Sequence, residues 1–295
     1  MEEQTVPKIN NAIVGFLDIL GFKNKLDSVH TNEDLTRLYA DMCTVHKLFE
    51  KDPESDMTRM AHAVSLKKII SLSDALVVSI DLSSELVQSN GVIDTILGEL
   101  YDLAFNQAMC VTKGYFLRGG IAKGFYFRDN SGDVLISNAM ARAYETETKT
   151  YYPVIALDDR FHKFLMNYKE PTGYSAKDTD SSSIIKTTTL PAEKGSLPIY
   201  YLDYFSVAVG LLDDWYCTAD LKAYKDERDE AKKTLIMYES HHKSQLQFVK
   251  EHREIIQLEL VKSHDPIKVM PKYLWLKDYH NKSVEDHGFE EDYKI

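Results

Sequence analysis

Two short apolar runs, each broken by a single aspartate, set the terms on which this chain can fold. Residues 12–20 read A-I-V-G-F-L-D-I-L around Asp18, and residues 64–80 read V-S-L-K-K-I-I-S-L-S-D-A-L-V-V-S-I around Asp74. Both runs fall short of the ~20 apolar residues that cross a bilayer as a helix. Their branched apolar residues suit buried strands instead. The first predicts a strand ending near Asp18 and leaving through Gly21; the second predicts two strands meeting at Ser73-Asp74. A carboxylate in such a setting is costly unless it meets a partner or an ion.

The rest of the chain supplies elements to pack on these strands. Leu35, Leu38, Met42, Val45 and Phe49 recur at spacings of three and four, which predicts a helix over 31–50 capped by Thr31 or Asn32. A polar loop at 51–56, a helix over 91–112, a glycine-bearing strand or bent hairpin over 115–127, a short strand at 133–137, a helix over 138–147 and a strand at 153–157 follow. Strand, helix, two strands, helix, strand is the split βαβ, ferredoxin-like order. It predicts an α+β fold with an antiparallel sheet, helices on one face, and the other face free for a ligand or partner. Segment 170–197, rich in Ser, Thr, Lys and Asp, predicts a mobile loop. Residues 221–262 predict one long helix or two, with a stripe of Tyr224, Ala231, Leu235, Tyr238, His242, Leu246, Val249, Ile256 and Leu260 for packing. The expected organisation is a catalytic body over 1–215 and a helical extension over 216–295, packed on that body or on a dimer partner.

Composition narrows the function classes. The 295 residues are 44% hydrophobic, enough for one large core. A net charge of −11 disfavours a nucleic-acid surface, which needs a basic face. An acidic protein still binds a nucleotide where metal ions neutralise the phosphates. Cys43, Cys110 and Cys217 make neither a disulfide framework nor a zinc pattern. The opening M-E-E-Q-T-V-P-K lacks the form of a signal peptide, so the expected location is the cytoplasm.

The expected topology makes the strand of Asp18 a neighbour of the hairpin of Asp74. Two aspartates on adjacent strand ends can bridge two divalent ions ~3.5–4 Å apart, and Mg²⁺ or Mn²⁺ prefers such oxygen ligands. Spacing alone leaves a second reading equally open, with Asp18 capping the next helix and Asp74 serving as a turn residue. Arg118, in R-G-G-I-x-x-G, is either a phosphate or base contact or a strand arginine paired with a carboxylate. Lys68 shares a face with Asp74 if strand alternation is unbroken; it reaches a ligand or is simply exposed. Tyr39 either meets a base or packs in the core. Asp158-Asp159 reads as a helix cap and Asp213-Asp214 as loop, while His241-His242 point apart on a helix. A G-x-x-x-x-G-K-S/T phosphate loop and a G-x-S-x-G elbow are both missing.

The chain resembles the class III nucleotide cyclases, and more closely the pyrimidine cyclases of the Pycsar antiphage defence system. The resemblance lies in F-L-D-I-L-G-F (16–22), S-L-S-D-A-L-V-V (71–78), L-R-G-G-I-A-K-G (117–124), R-A-Y-E-T-E (142–147) and K-Y-L-W-L-K-D-Y-H-N (272–281). It implies that Asp18 and Asp74, with the Ile19 carbonyl, hold two Mg²⁺ or Mn²⁺ ions. It implies in-line attack of a ribose 3′-hydroxyl on the α-phosphorus, giving a 3′,5′-cyclic monophosphate and pyrophosphate. The N–H groups of Ile19, Leu20, Gly21 and Phe22 would cradle phosphates. Asn138 and Arg142, one helical turn apart, would orient the ribose and offset transition-state charge from the partner subunit of a homodimer; Asn138 is also placed to cap its helix. The implied substrate is a pyrimidine nucleoside triphosphate, UTP ahead of CTP, and the implied product is a second messenger for antiphage defence. Two alternatives remain: a degenerate cyclase-like domain that only binds a nucleotide, and a palm-like nucleotidyl transferase joining two nucleotides.

Overall fold

The computed structural model describes residues 9–49, 67–72, 75–129, 134–192, 195–211, 218–262, 265 and 267–295. The first apolar run forms β1 (Asn10–Ile19), followed by the short helix α1 (Phe22–Asp27) and by α2 (Asn32–Phe49). Thr31 caps α2 reciprocally: its Oγ1 accepts from the Asp34 N–H while the Asp34 carboxylate accepts from the Thr31 N–H. The second run supplies β2 (Lys67–Leu72) and β3 (Ala75–Asp81). Helices α3 (Glu85–Asn90) and α4 (Val92–Thr112) lead to β4 (Leu117–Arg128), β5 (Leu135–Ser137), α5 (Asn138–Lys149), β6 (Ile155–Leu157) and α6 (Asp159–Asn167).

The sheet runs β2-β3-β1-β4, and β1 pairs antiparallel with both β3 and β4. That is the ferredoxin-like arrangement the element order predicts. Alternation sorts β1 into two faces. Ile13, Leu17 and Ile19 join the large core that includes α2 and the mostly buried α4. Ala12 and Val14 face the other way, with Val77 and Ala139.

Three expectations need correction. The sheet is not wholly antiparallel, because β6 pairs parallel to β4. The second face is not left free either. Helix α5 lies on β4, where Gly120 and Gly124 give it room. A Cβ at Gly120 would fall 2.1 Å from the Ala143 carbonyl oxygen, and one at Gly124 would fall 2.1 Å from Asn138 Oδ1.

Segment 170–197 is not a loop throughout. Two 3₁₀ turns lead into β7 (Ile185–Ala192), which pairs antiparallel with β8 (Gly195–Leu202); β8 pairs in turn with β6. Strand β7 is an edge built on Thr187, Thr188 and Thr189. These are β-branched but polar, so the strand lacks the apolar alternation that marks a buried one.

Helix α7 (Tyr204–Leu211) follows, with Tyr204, Phe205, Val207 and Ala208 all buried. The 221–262 stripe resolves into two helices, α8 (Thr218–Asp226) and α9 (Glu230–Leu260). Only its later part packs: Val249 and Ile256 are buried, whereas Leu235 and Tyr238 are exposed. Helix α10 (Met270–Asp286) closes the chain, and Tyr273, Leu276, Tyr279 and Val284 join the same core as the sheet. Among the described residues, no helix is long and apolar enough to cross a membrane.

Candidate active site

Asp18 sits one residue from the end of β1, on the face away from the large core. Register fixes its neighbours. Ala75 of β3 lies opposite on one side and Arg118 of β4 on the other. Asp74 and Ser73 lie outside the described residues. The strand that begins immediately after Asp74 is the one that opens on Asp18, since Ala75 pairs with both Asp18 and Leu72.

Arg118 pairs with a carboxylate, one of the two readings its sequence context allows. Its Nη2 lies 3.2 Å from Asp18 Oδ2, and the same nitrogen contacts Glu147 Oε1. Glu147 comes from the last turn of α5, and its side chain is only 5% exposed against 21% for Asp18 and 23% for Arg118. The close approach of α5 at Gly120 explains the meeting. Gly120 and Arg118 share one face two residues apart, and a Cβ at Gly120 would also fall 2.7 Å from the Glu147 nitrogen. Buried Gln107 ties the start of β4 to the interior by donating to the Leu117 and Pro153 carbonyls at 3.2 Å.

The C-terminal helix reaches this same end of the sheet. Tyr273 packs edge-on against Phe116, and Trp275 stacks on Tyr152. The Tyr151 hydroxyl bonds the carbonyls of Ile267 and Lys268, and Lys272 Nζ lies 5.3 Å from the Tyr151 ring centre. Burial pushes the Lys272 ammonium pKa down, as does the nearby Arg118 charge, while Asp18 and Glu147 pull it up. Four charges therefore gather here: Asp18, Glu147, Arg118 and Lys272. Glu147 and Lys272 were not among the sequence candidates. Glu147 carries no local signal, since its burial follows from the glycine in the strand beneath it.

The remaining candidates are dispersed. Ile19 and Phe22 bury their side chains in the core, so only their backbone can face a ligand. Leu20 donates its N–H to the Phe116 carbonyl at 2.8 Å, which removes it from the phosphate cradle. Gly21 adopts φ +79°, a left-handed turn suited to glycine. Lys68 is exposed and lies opposite Ser79, which puts it on the sheet face of Asp18. Tyr39 is 68% exposed on α2, not packed in the core. A shallow cavity of about 380 Å³ between α1 and α2 is lined by Lys25, Asp34, Arg37 and Asp41, and by none of the candidates.

Asn138 and Arg142 lie on α5, against the far half of β4. Ser137 caps this helix through the Met140 N–H, so the cap is not Asn138. Asn138 Oδ1 instead accepts from the Phe125 N–H at 2.8 Å. Arg142 donates to the Lys123 carbonyl at 2.9 Å and pairs with Asp158. Asp158 is also the cap of α6, accepting from the Arg160 and Phe161 N–H groups. Gly124 is opposite Ala12, six residues from Asp18, or about 20 Å along a strand. Next to α5 the sheet surface is apolar and open: Tyr144 is 54% exposed, with its ring edge-on to Phe16.

A divalent cation fits the donor chemistry at Asp18. A nucleotide-bound Mg²⁺ takes one or two carboxylates and completes its shell with phosphates and water, without a dedicated protein cage. Among the described residues no three His, Cys, Asp or Glu side chains cluster as such a cage. Asp18 would hold the ion; Asp74, the second acid the sequence points to, lies outside the described residues.

No family model matches the chain, and no curated protein does. Solved structures with a similar arrangement include the adenylyl cyclase CyaB from P. aeruginosa, at 12% identity and a TM-score of 0.41, covering 67% of this chain and 95% of that one. The guanylate cyclase domain of RhGC from Catenaria anguillulae, in complex with GTP, matches at 15% identity and a TM-score of 0.42 over 65% and 96% of the two chains. The monomeric guanylyl cyclase domain of the RhoGC fusion protein from Blastocladiella emersonii matches at 13% and 0.43 over 67% and 98%.

Proposed function

We propose that this protein is a metal-dependent nucleotide cyclase acting on a pyrimidine nucleoside triphosphate, UTP ahead of CTP. The observation that carries the reading is the strand register. Asp18 stands opposite Ala75, the residue after Asp74, at one end of a ferredoxin-like sheet. Two sequence stretches, each built around one acid, thus converge at one end of the sheet. The body over 1–215 carries the chemistry, and the extension over 216–295 buttresses the Asp18 end through Tyr273 and Trp275.

Bound at Asp18 and Asp74, two Mg²⁺ or Mn²⁺ ions would supply a more acidic ribose 3′-hydroxyl and charge compensation for the triphosphate and the departing pyrophosphate. The chain's own groups do the positioning. The turn at Gly21 lets the backbone approach the phosphates. Arg118 and Lys272 place positive charge beside them. Lys68 faces the ligand side of the sheet further from the acids, where the base would lie.

Asn138 and Arg142 belong to a second protomer in this reading. Asn138 meets Gly124 about 20 Å along the strand from Asp18, and the Arg142 guanidinium is held on the Lys123 carbonyl and Asp158 rather than on Asp18; both placements support a two-fold dimer. In it the open apolar surface around Phe16 and Tyr144 is covered, and each site draws its acids from one chain and its Asn and Arg from the other. The pyrimidine preference and a role as second-messenger source in antiphage defence rest on the sequence resemblance.

The test is incubation with ATP, GTP, CTP and UTP separately in Mn²⁺, with products resolved by mass. The expected product is a cyclic monophosphate from UTP, with less from CTP, absent in Asp18→Asn and Asp74→Asn. A product from ATP or GTP alone sinks the pyrimidine assignment. A linear dinucleotide makes the protein a nucleotidyl transferase, and binding without turnover makes it a nucleotide-binding module. The defence role fails if cells carrying the gene and its neighbours resist phage no better than cells with the Asp18→Asn gene.

A further inference from the structure

Arg118 serves two carboxylates at once, and the fold fixes all three groups independently. Asp18 and Arg118 face each other through the β1–β4 register, and Glu147 is delivered by the helix pressed onto Gly120. The three charges form a row, Asp18–Arg118–Glu147, in which the middle guanidinium contacts both ends. The ends differ in character. Glu147 is almost sealed from water, whereas Asp18 is reachable from solvent. A divalent cation therefore has access to Asp18 but must compete with a positive charge already beside it.

We propose that Arg118 is a displaceable counter-ion for Asp18, and that Glu147 is the positioning residue that retains Arg118 when a divalent cation takes the Asp18 carboxylate. The proposal deepens the cyclase reading and rests on its assignment of a cation to Asp18.

The electrostatics favour such an exchange. Among the described residues, Asp18 and Glu147 carry the negative charges of the cluster and Arg118 and Lys272 the positive ones. A divalent ion at Asp18 joins two positive side chains already there, so the ion enters most readily with a polyphosphate. Arg118 need not leave the site. It gives up Asp18 and keeps Glu147, whose burial makes an unpaired carboxylate costly. The guanidinium is then held beside the phosphates rather than swinging into solvent. Without Glu147 the guanidinium would hold to Asp18 alone and oppose the ion.

Direct Mn²⁺ binding, read from the loss of the free-ion paramagnetic resonance signal with no nucleotide present, separates this from a purely structural ion pair. Glu147→Gln should weaken Mn²⁺ binding by about tenfold or more, as loss of an outer-shell partner does. The double variant Arg118→Met/Glu147→Gln removes the competitor together with its holder and should bind Mn²⁺ at least as tightly as the wild type. It leaves no buried charge orphaned, so it keeps the test decisive if Glu147→Gln alone fails to fold; thermal melts verify each variant. Wild-type affinity in folded Glu147→Gln, or weaker binding in the double variant, overturns the proposal. Mn²⁺ binding indifferent to Asp18→Asn overturns it along with the cation assignment. The expected binding pattern without any cyclic product would support the exchange and refute the cyclase reading.

Discussion

At the residue scale, the glycines of L-R-G-G-I-A-K-G do different work. At Gly120 an added methyl would meet backbone on two sides, the Ala143 carbonyl and the Glu147 nitrogen. Neither can move without lifting α5 from the sheet. At Gly124 the nearest obstacle is the Asn138 side chain, with the Ala139 nitrogen 3.1 Å away. A side chain can change rotamer where backbone cannot. We expect Gly120→Ala to cost about 2–3 kcal/mol and Gly124→Ala about 1 kcal/mol of unfolding free energy, measured by urea denaturation. Equal costs would mean that the helix does not depend on close contact at Gly120. A glycine-rich strand is visible in sequence, yet nothing local says which glycine admits a helix. The burial of Glu147 was hidden for the same reason, whereas Asp18 announced itself by interrupting an apolar run.

At the scale of elements, legibility followed apolar patterning. Strands β1 to β4 and helices α2 and α4 were legible because their branched or periodic apolar residues are largely buried, most of them in the large core. The β7–β8 hairpin was not, because its edge strand is threonine-rich and polar. The stripe along α9 was legible as a helix but not in its partners: its first half stays exposed and only the second half docks. What that second half docks on contains an unusual polar core. His280 Nε2 donates to the Tyr293 carbonyl at 2.8 Å, so its Nδ1 must accept from His252 Nδ1–H, also at 2.8 Å. His252 Nε2 then accepts from the Tyr204 hydroxyl at 2.9 Å. Both rings are neutral in this chain of bonds. Burial holds the His280 pKa down to about 4, with Arg253 adding to the effect, and pushes His252 well below its ordinary value through burial and the neighbouring His280.

That arrangement fixes the sign of a pH response. The unfolded histidines take up protons near pH ~6.5, whereas the folded ones do so only at lower pH. The stability they contribute is therefore complete above about pH 6.5 and falls as pH drops towards about 4. For His280 alone the loss is on the order of 3 kcal/mol. We expect unfolding midpoints in urea to decline over that window in the wild type, and His252→Phe/His280→Phe to flatten the decline. A pH dependence unchanged in the double variant would assign acid sensitivity to other groups. The helices concerned share one core with the sheet, so truncation before α10 should leave a chain without a cooperative thermal transition rather than a smaller folded body.

At the scale of the whole molecule, Asp18 pairs with the start of β4, whereas Asn138 sits at Gly124, about 20 Å along the strand, and Arg142 is tied to the Lys123 carbonyl and Asp158. A two-fold dimer would resolve this by setting the Asp18 end of one sheet against the start of α5 in the other, and it predicts complementation. Asp18→Asn and Arg142→Ala are each expected to be inactive alone. Mixed in equal amounts and allowed to exchange, half of the dimers are hybrids, and each hybrid carries one site with every group intact. The mixture should recover about a quarter of wild-type turnover per chain, the share set by two-fold symmetry. Arg142 also bonds Asp158 and the Lys123 carbonyl, so the Arg142→Ala chain needs a thermal melt to show that it is folded. With both variants folded and exchanging, a mixture no more active than its parts would mean that each chain works from its own residues. The open surface around Phe16 and Tyr144 would then need another occupant. Recovery of activity would make the separation of the two residue groups the structural reason for a dimer.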